Sequence, residues 1–276
     1  MPAAPDPITA ILLAVIFLTL TEILRALGAG QLLAPPQPRP RLKFDWAVFA
    51  AACTFIALPA LLGLLFAGRE ISTDKSAAPP DHVDGAILTN FVIIAVLVAV
   101  IFARRKNRPA DYGIDLRGWL AEIRFGGLGF LACLPFVVAI ILLTSHWRQP
   151  DKQNMLLILL RDTQSEWTIL KVVFAAVISA PLAEELLFRV SFQGPLETRL
   201  SPGWAISIPA FIFASVHGIY DALPLLPLAL ALGALYHLRR SYVAIVTAHA
   251  LFNASFLVLA LWQRDAAQAL GQFCTP

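Results

Sequence analysis

The stretch TILKVVFAAVISAPLAEELLFR, residues 168–189, is long and apolar enough to cross a bilayer, yet it carries Glu184, Glu185 and Arg189. About 20 helical residues span a hydrocarbon core about 30 Å thick, at a rise of about 1.5 Å each. An ionised side chain near the centre of such a helix costs about 2.5–3.5 kcal/mol on the insertion scale. Each Leu, Ile, Val or Phe returns only about 0.3–0.6 kcal/mol. Two adjacent glutamates therefore offset most of what the apolar residues contribute, unless they are paired or reach a water-filled cavity. Arg189 follows Glu185 by one turn on the same face, so it can pair with that carboxylate. Neighbouring helical residues point about 100° apart, so Glu184 faces another sector and needs a different partner. A buried ion pair that merely locates the helix near an interface accounts for one Glu–Arg couple. It accounts less well for a second glutamate beside it, just after Pro181.

The rest of the chain provides the setting such a helix needs. The 276 residues are 58% hydrophobic and 14% charged, and the mean hydropathy is +0.73, more apolar surface than one soluble core could hide. Eight runs qualify as spans, roughly 8–27, 46–67, 85–103, 124–144, 168–190, 203–217, 222–238 and 242–262. The expected fold is thus an all-α, polytopic membrane bundle of about eight transmembrane helices. Residues 1–9 carry Asp6 and no Lys or Arg, so 8–27 reads as a retained first span rather than a secretory signal. The sixth and seventh runs contain Pro209, Pro224 and Pro227, tolerable where neighbouring helices satisfy the freed carbonyls.

Three divisions follow: 1–123, N-terminal spans with a basic connector; 124–265, a core holding the intramembrane charges; and 266–276, a tail. Lys and Arg in alternate connectors number twelve on one side and six on the other. That bias places the first side in the cytoplasm and both termini outside it, as expected of a multi-pass protein of the cell (inner) membrane. A net charge of +3 carries no nucleic-acid signal. Cys53, Cys133 and Cys274 are scattered, and two lie inside apolar runs, so they read as core residues rather than a disulfide framework or a metal site.

Two further polar intrusions accompany the glutamates. The sixth run ends in Phe213-Ala-Ser-Val-His217, and the eighth contains His249-Ala-Leu-Phe-Asn253, whose polar ends share one helical face. Singly, a membrane histidine is often an interhelical hydrogen-bond partner. Ser201-Pro202 resembles an N-cap followed by proline at the first helical position. Glu184 lies seventeen residues before Ser201 and His217 sixteen after it, so an antiparallel hairpin puts both at one depth. Gly194-Pro195 is expected to break the first arm. A buried carboxylate with an imidazole can share a water proton, and an imidazole or amide N–H can stabilise an oxyanion. Together these groups suit hydrolysis of an amide bond. No serine is convincingly placed as a nucleophile, and neither HExxH nor paired-cysteine zinc spacings occur.

The motifs Glu184-Glu185-Leu-Leu-Phe-Arg189, Phe213-Ala-Ser-Val-His217 and His249-Ala-Leu-Phe-Asn253, in this order on separate runs, resemble the EExxxR, FxxxH and HxxxN motifs of a known family. It is the type II CAAX-prenyl endopeptidase and bacteriocin-processing family of glutamic intramembrane proteases. The resemblance covers roughly 165–260, and Tyr112-Gly-Ile-Asp115 is the kind of connector that precedes the core in many bacterial members. It implies that Glu184 and His217 activate water, that His249 and Asn253 hold the oxyanion, and that Glu185 and Arg189 support the site. The implied partners are a membrane-associated protein or peptide substrate and the lipid bilayer. No cofactor is expected to be required, although two His and a Glu leave a divalent metal open; Asn is a poor ligand. Two other classes fit the same residues: a non-proteolytic scaffold or immunity protein of this fold, and a proton-coupled transporter. Glu22 in the first run suits the transporter, whereas the lack of an internal repeat counts against it.

Overall fold

The computed structural model describes residues 42–65, 81–144, 159–160 and 163–273. Within these the protein is helical, without strands. We number the helices α1 (Trp46–Leu65), α2 (Asp81–Arg104), α3 (Trp119–Thr144), α4 (residues 166–196), α5 (Pro202–Val216), α6 (Ile219–Arg239) and α7 (Tyr242–Phe273). A 3-10 turn, Pro109–Tyr112, lies between α2 and α3. The run 8–27, with Glu22, falls outside the described residues. Among the described residues, four stretches are long and apolar enough to cross a membrane, His82–Arg104, Trp119–Thr144, Asp221–Arg239 and Tyr242–Arg264, while Trp46–Pro59 and Pro202–Val216 are apolar but shorter.

Helix ends follow local chemistry. The Asp45 carboxylate accepts the Ala47 amide at 3.0 Å to open α1, and Arg104 from the end of α2 lies 3.4 Å from that same buried side chain. Ser165 caps α4 by accepting the Thr168 amide, and Ser241 caps α7 by accepting that of Ala244. Helix α5 begins at Pro202 as expected, although Ser201 makes no side-chain capping bond. Its extended backbone and the preset φ of proline suffice to start the helix.

Gly194-Pro195 does not break α4, contrary to expectation. The helix is α-helical over Glu166–Phe174, π-helical over Ala175–Ser179, α-helical over Ala180–Glu185, π-helical over Leu186–Gln193, and α-helical again over Gly194–Leu196. The wider π turn carries the Gly194 amide back to the Arg189 carbonyl, and the helix continues through the proline that lacks a donor.

Polarity is turned inside out. Leu143, Phe136 and Trp204 are more than 60% exposed, whereas Glu185, Arg189 and Gln193 are wholly buried. Only an apolar solvent rewards that arrangement, and the chain is a membrane protein. Both described cysteines, Cys53 and Cys133, are free thiols, and Cys274 lies outside the described residues. Two of the cations counted as loop charges are structural: Arg239 pairs with Glu122 at 2.7 Å and Arg240 with Glu197 at 2.8 Å, all largely buried.

The basic connector is locked to the core at the α6–α7 turn. The Tyr242 amide donates to the Gly113 carbonyl, and the Tyr236 hydroxyl to that of Tyr112. Gly113 has φ +83°, and a Cβ there would run into the Arg240 carbonyl, so no other residue fits. Burial pushes the Tyr112 hydroxyl up to about 12, which keeps it a neutral partner for the Asn107 amide.

Candidate active site

Helices α4, α5 and α7 each deliver part of the polar cluster, and α6 backs it. Along α4, the two glutamates diverge as the helical angle requires. Glu185 turns inward and is engaged through one oxygen: Arg189 Nη1 donates to its Oε1 at 3.0 Å, and His249 Nδ1 reaches that same oxygen at 2.8 Å, while the buried Oε2 has no hydrogen-bond partner among the described residues. Arg189, equally buried, spends a second donor on the Ala229 carbonyl of α6 at 3.3 Å. Glu184 faces a different sector and keeps 25% of its side chain accessible, against none for Glu185.

Two imidazoles flank Glu184. Its Oε2 lies 3.9 Å from His217 Nε2 and 3.8 Å from His249 Nε2, and it has no hydrogen-bond partner among the described residues. The other ring nitrogens are committed. His217 Nδ1 is 2.7 Å from the Phe213 carbonyl, which can only accept, so Nδ1 carries the proton. In neutral His217, therefore, Nε2 presents a lone pair toward Glu184. His249 Nδ1 likewise faces an acceptor, the Glu185 carboxylate. Both imidazoles thus turn Nε2 toward one carboxylate oxygen, at separations too long for a direct hydrogen bond.

His217 is the residue at which α5 ends, followed by Gly218 at φ +88°. The α4–α5 hairpin thereby brings Glu184 and His217 to one level. Asn253 is less simply disposed. Its Nδ2 donates at 2.7 Å to the Ala176 carbonyl, inside the first π segment of α4. A π turn opens the ladder and frees a carbonyl for such a partner. That bond uses one of the two amide hydrogens.

Sequence reasoning quoted Phe213 but assigned it no task. Its ring lies 4.6 Å from the His217 ring, 5.8 Å from His249 edge-to-face, and 4.5 Å beneath the Arg189 guanidinium. One aromatic ring thus packs three of the polar groups, with a cation–π contact to the buried arginine. Tyr242, whose hydroxyl donates to the Leu182 carbonyl at 2.6 Å, and Asn90, whose amide donates to Ser179 at 3.1 Å, were also missed. Neither sits in a motif; only their polarity inside apolar runs could have flagged them. No group of three His, Cys, Asp or Glu side chains among the described residues is arranged to hold a metal ion.

The site lies within a part of the chain that is similar to a known family. Residues 166–255, about a third of the chain, match the family model described as type II CAAX prenyl endopeptidase Rce1-like. No curated protein and no solved structure matches.

Proposed function

We propose that this protein is an intramembrane endopeptidase in which Glu184 is the base, a reading supported by the match of residues 166–255 to the model of the type II CAAX prenyl endopeptidase Rce1-like family. The observation that carries the proposal is the contrast between the two glutamates. Glu185 is wholly buried and tied by one oxygen to Arg189 and His249, whereas the Glu184 side chain is a quarter accessible and faces two imidazole nitrogens across gaps of 3.8–3.9 Å. Gaps of that length between acceptors suit a shared water, which can donate one hydrogen to Glu184 and the other to His217 Nε2.

In the reaction, the water oxygen bonds to the scissile carbonyl carbon while one of its protons passes to Glu184. The carbonyl electron pair moves onto oxygen. Asn253 offers that oxyanion its remaining amide hydrogen, and His249, when protonated on both nitrogens, offers Nε2–H. Collapse breaks the C–N bond, and the proton held by Glu184 goes to the departing amine. The water's second proton remains on the new acid and passes to the departing amine, so the products are a carboxylate and an ammonium group, with no step through a metal. Glu185 and Arg189 act by holding His249 in place.

The substrate is a membrane-associated protein or peptide. The end of the bundle where α1, α3 and α5 begin bears Arg105, Lys106, Arg108, Arg124 and Arg199, with exposed Trp46, Trp119 and Trp204. Basic and tryptophan residues mark a cytoplasmic interface, and His249 lies seven residues beyond the start of α7 at that end, about 10 Å along the helix. The site would then sit in the cytoplasmic half of the cell membrane.

The test is Glu184→Gln, nearly isosteric and cheaper to bury. Compared at equal membrane abundance by proteomics of the host membrane, the variant should leave uncut the substrates that the wild-type protein removes. A fully active variant would make the polar cluster structural and favour a non-proteolytic scaffold.

A further inference from the structure

Below the glutamates, α4 continues a polar stripe at intervals of four: Glu185, Arg189, Gln193 and Glu197, all nine-tenths or more buried. Helix α6 answers at the same interval. Arg189 donates to the Ala229 carbonyl at 3.3 Å, Gln193 Nε2 to the Gly233 carbonyl at 2.8 Å, and Glu197 Oε1 lies 3.3 Å from His237 Nδ1. A regular α-helix cannot hold such a stripe in line. At about 100° per residue, three steps of four residues drift by about 120°, enough to carry Glu197 off the face of Glu185. The π segment Leu186–Gln193 removes that drift, and it occupies the interval between the two ends of the stripe.

We propose that Gln193 is a positioning residue for the site, clamping this π segment to α6 so that Arg189 stays aligned on Glu185 and, through it, His249. For the catalytic readout this rests on the function proposed above. Gln193 is wholly buried and both of its amide hydrogens are used, on Gly233 at 2.8 Å and on Glu197 Oε1 at 2.9 Å. π turns are rare and recur at functional sites, because their irregular ladder needs outside support. Here two side chains of the segment reach α6, Arg189 at the Ala229 carbonyl and, at its end, Gln193 at the Gly233 carbonyl. Helix α6 is cut to fit it: a Cβ at Gly233 would come 3.0 Å from Gln193 Oε1 and 2.9 Å from Ile206 Cγ2.

Two variants disturb this clamp from opposite sides. Gln193→Met keeps the length and loses both donors; Gly233→Ala leaves Gln193 intact and pushes it away. Each should shift the His249 ring-nitrogen resonances in ¹⁵N-histidine spectra of the purified, folded protein. Asn90→Leu, which removes a polar contact of α4 outside the stripe, should leave them in place. In the peptidase assay kcat should fall about 10–100-fold at unchanged KM, the scale of a small misplacement of catalytic groups, with a displaced pH profile. Because both variants break one contact, their effects should not add. Wild-type-like His249 resonances in both folded variants would overturn the assignment, whether or not the protein cleaves peptides. Absence of cleavage by the wild type would instead overturn the proposed function and leave the spectroscopic test standing. A loss of kcat with unmoved resonances and pH profile would reduce Gln193 to a residue of general stability.

Discussion

Removing Arg189 should strand a charge, and the cost follows from what surrounds it. The guanidinium is fully buried, donates to Glu185 at 3.0 Å and to the Ala229 carbonyl at 3.3 Å, and stacks 4.5 Å from the Phe213 ring. Arg189→Met preserves much of the volume, so the cavity contribution is small and the loss is mainly electrostatic. Taking one partner from a buried ion pair costs about 3–5 kcal/mol, because the remaining charge stays buried. With about 2.1 cal/mol/K of unfolding entropy per residue over 276 residues, the melting temperature should fall by about 5–9 °C. Thermal unfolding of the purified protein in one detergent measures this. The informative comparison is Glu185→Gln combined with Arg189→Met. Glutamine carries no charge yet keeps an oxygen for His249 Nδ1, so the double variant should recover most of the lost stability. If the single variant melts with the wild type, or the double variant melts below the single, then Glu185 does not depend on Arg189 as its counter-ion.

Asn253→Ala should lower kcat by about 10²–10³-fold, the scale for one oxyanion donor, as measured on purified enzyme with a peptide substrate. Unchanged kcat would leave Asn253 as a tie to the Ala176 carbonyl alone. Gly113→Ala should lower stability by about 1–3 kcal/mol, since its φ of +83° and the nearby Arg240 carbonyl admit no Cβ; thermal unfolding reads it, with activity per folded molecule preserved. A reporter fused after Arg105 should be cytoplasmic and one after Lys75 external. Fusions reporting the same side would contradict the orientation proposed for the basic end.

Much of the bundle was legible because a bilayer imposes one rule on every span. Long apolar runs mark helices wherever water is absent, and the boundaries expected for α1, α3 and α7 begin within a few residues of those observed. The interruptions of α4 were not legible. Gly194-Pro195 has the local chemistry of a helix end, and whether the chain stops or widens there is decided by Gln193 and Arg189 reaching α6. Arg239 and Arg240 do lie at the turn between two apolar runs, but their ion pairs were not legible, because their acids, Glu122 and Glu197, lie on α3 and at the end of α4. The polar stripe was present as an interval of four, but such a spacing is legible only once π turns straighten it. Asn253 and His249 were read as sharing a face, and they do reach α4; that Asn253 would spend a hydrogen on Ala176 depended on a π turn that composition does not announce.

The pair Glu184-Glu185 shows why adjacency in sequence does not mean equivalence in chemistry. Two carboxylates side by side on one helix differ by about 100° in direction, and in a membrane that angle separates opposite environments. Toward α6 and α7 there are donors: a guanidinium, an imidazole N–H, and beyond them the amide of Gln193. A carboxylate pointing there is held in an ion pair and, being wholly buried, is shut off from a substrate water. Toward the end of α5 there is an acceptor, His217 Nε2, and the Glu184 side chain as a whole keeps partial accessibility. A carboxylate pointing there is stabilised least, and what it lacks is a hydrogen to share. The helix can carry this second group because the charge of the first is balanced by Arg189. Glu185 and Arg189 together add no net charge to the span, so the insertion cost that remains is that of one glutamate, within what the flanking Leu, Val and Phe residues offset. Supporting and reacting roles therefore follow from the direction each side chain takes off one backbone, and exchanging them would require turning the helix.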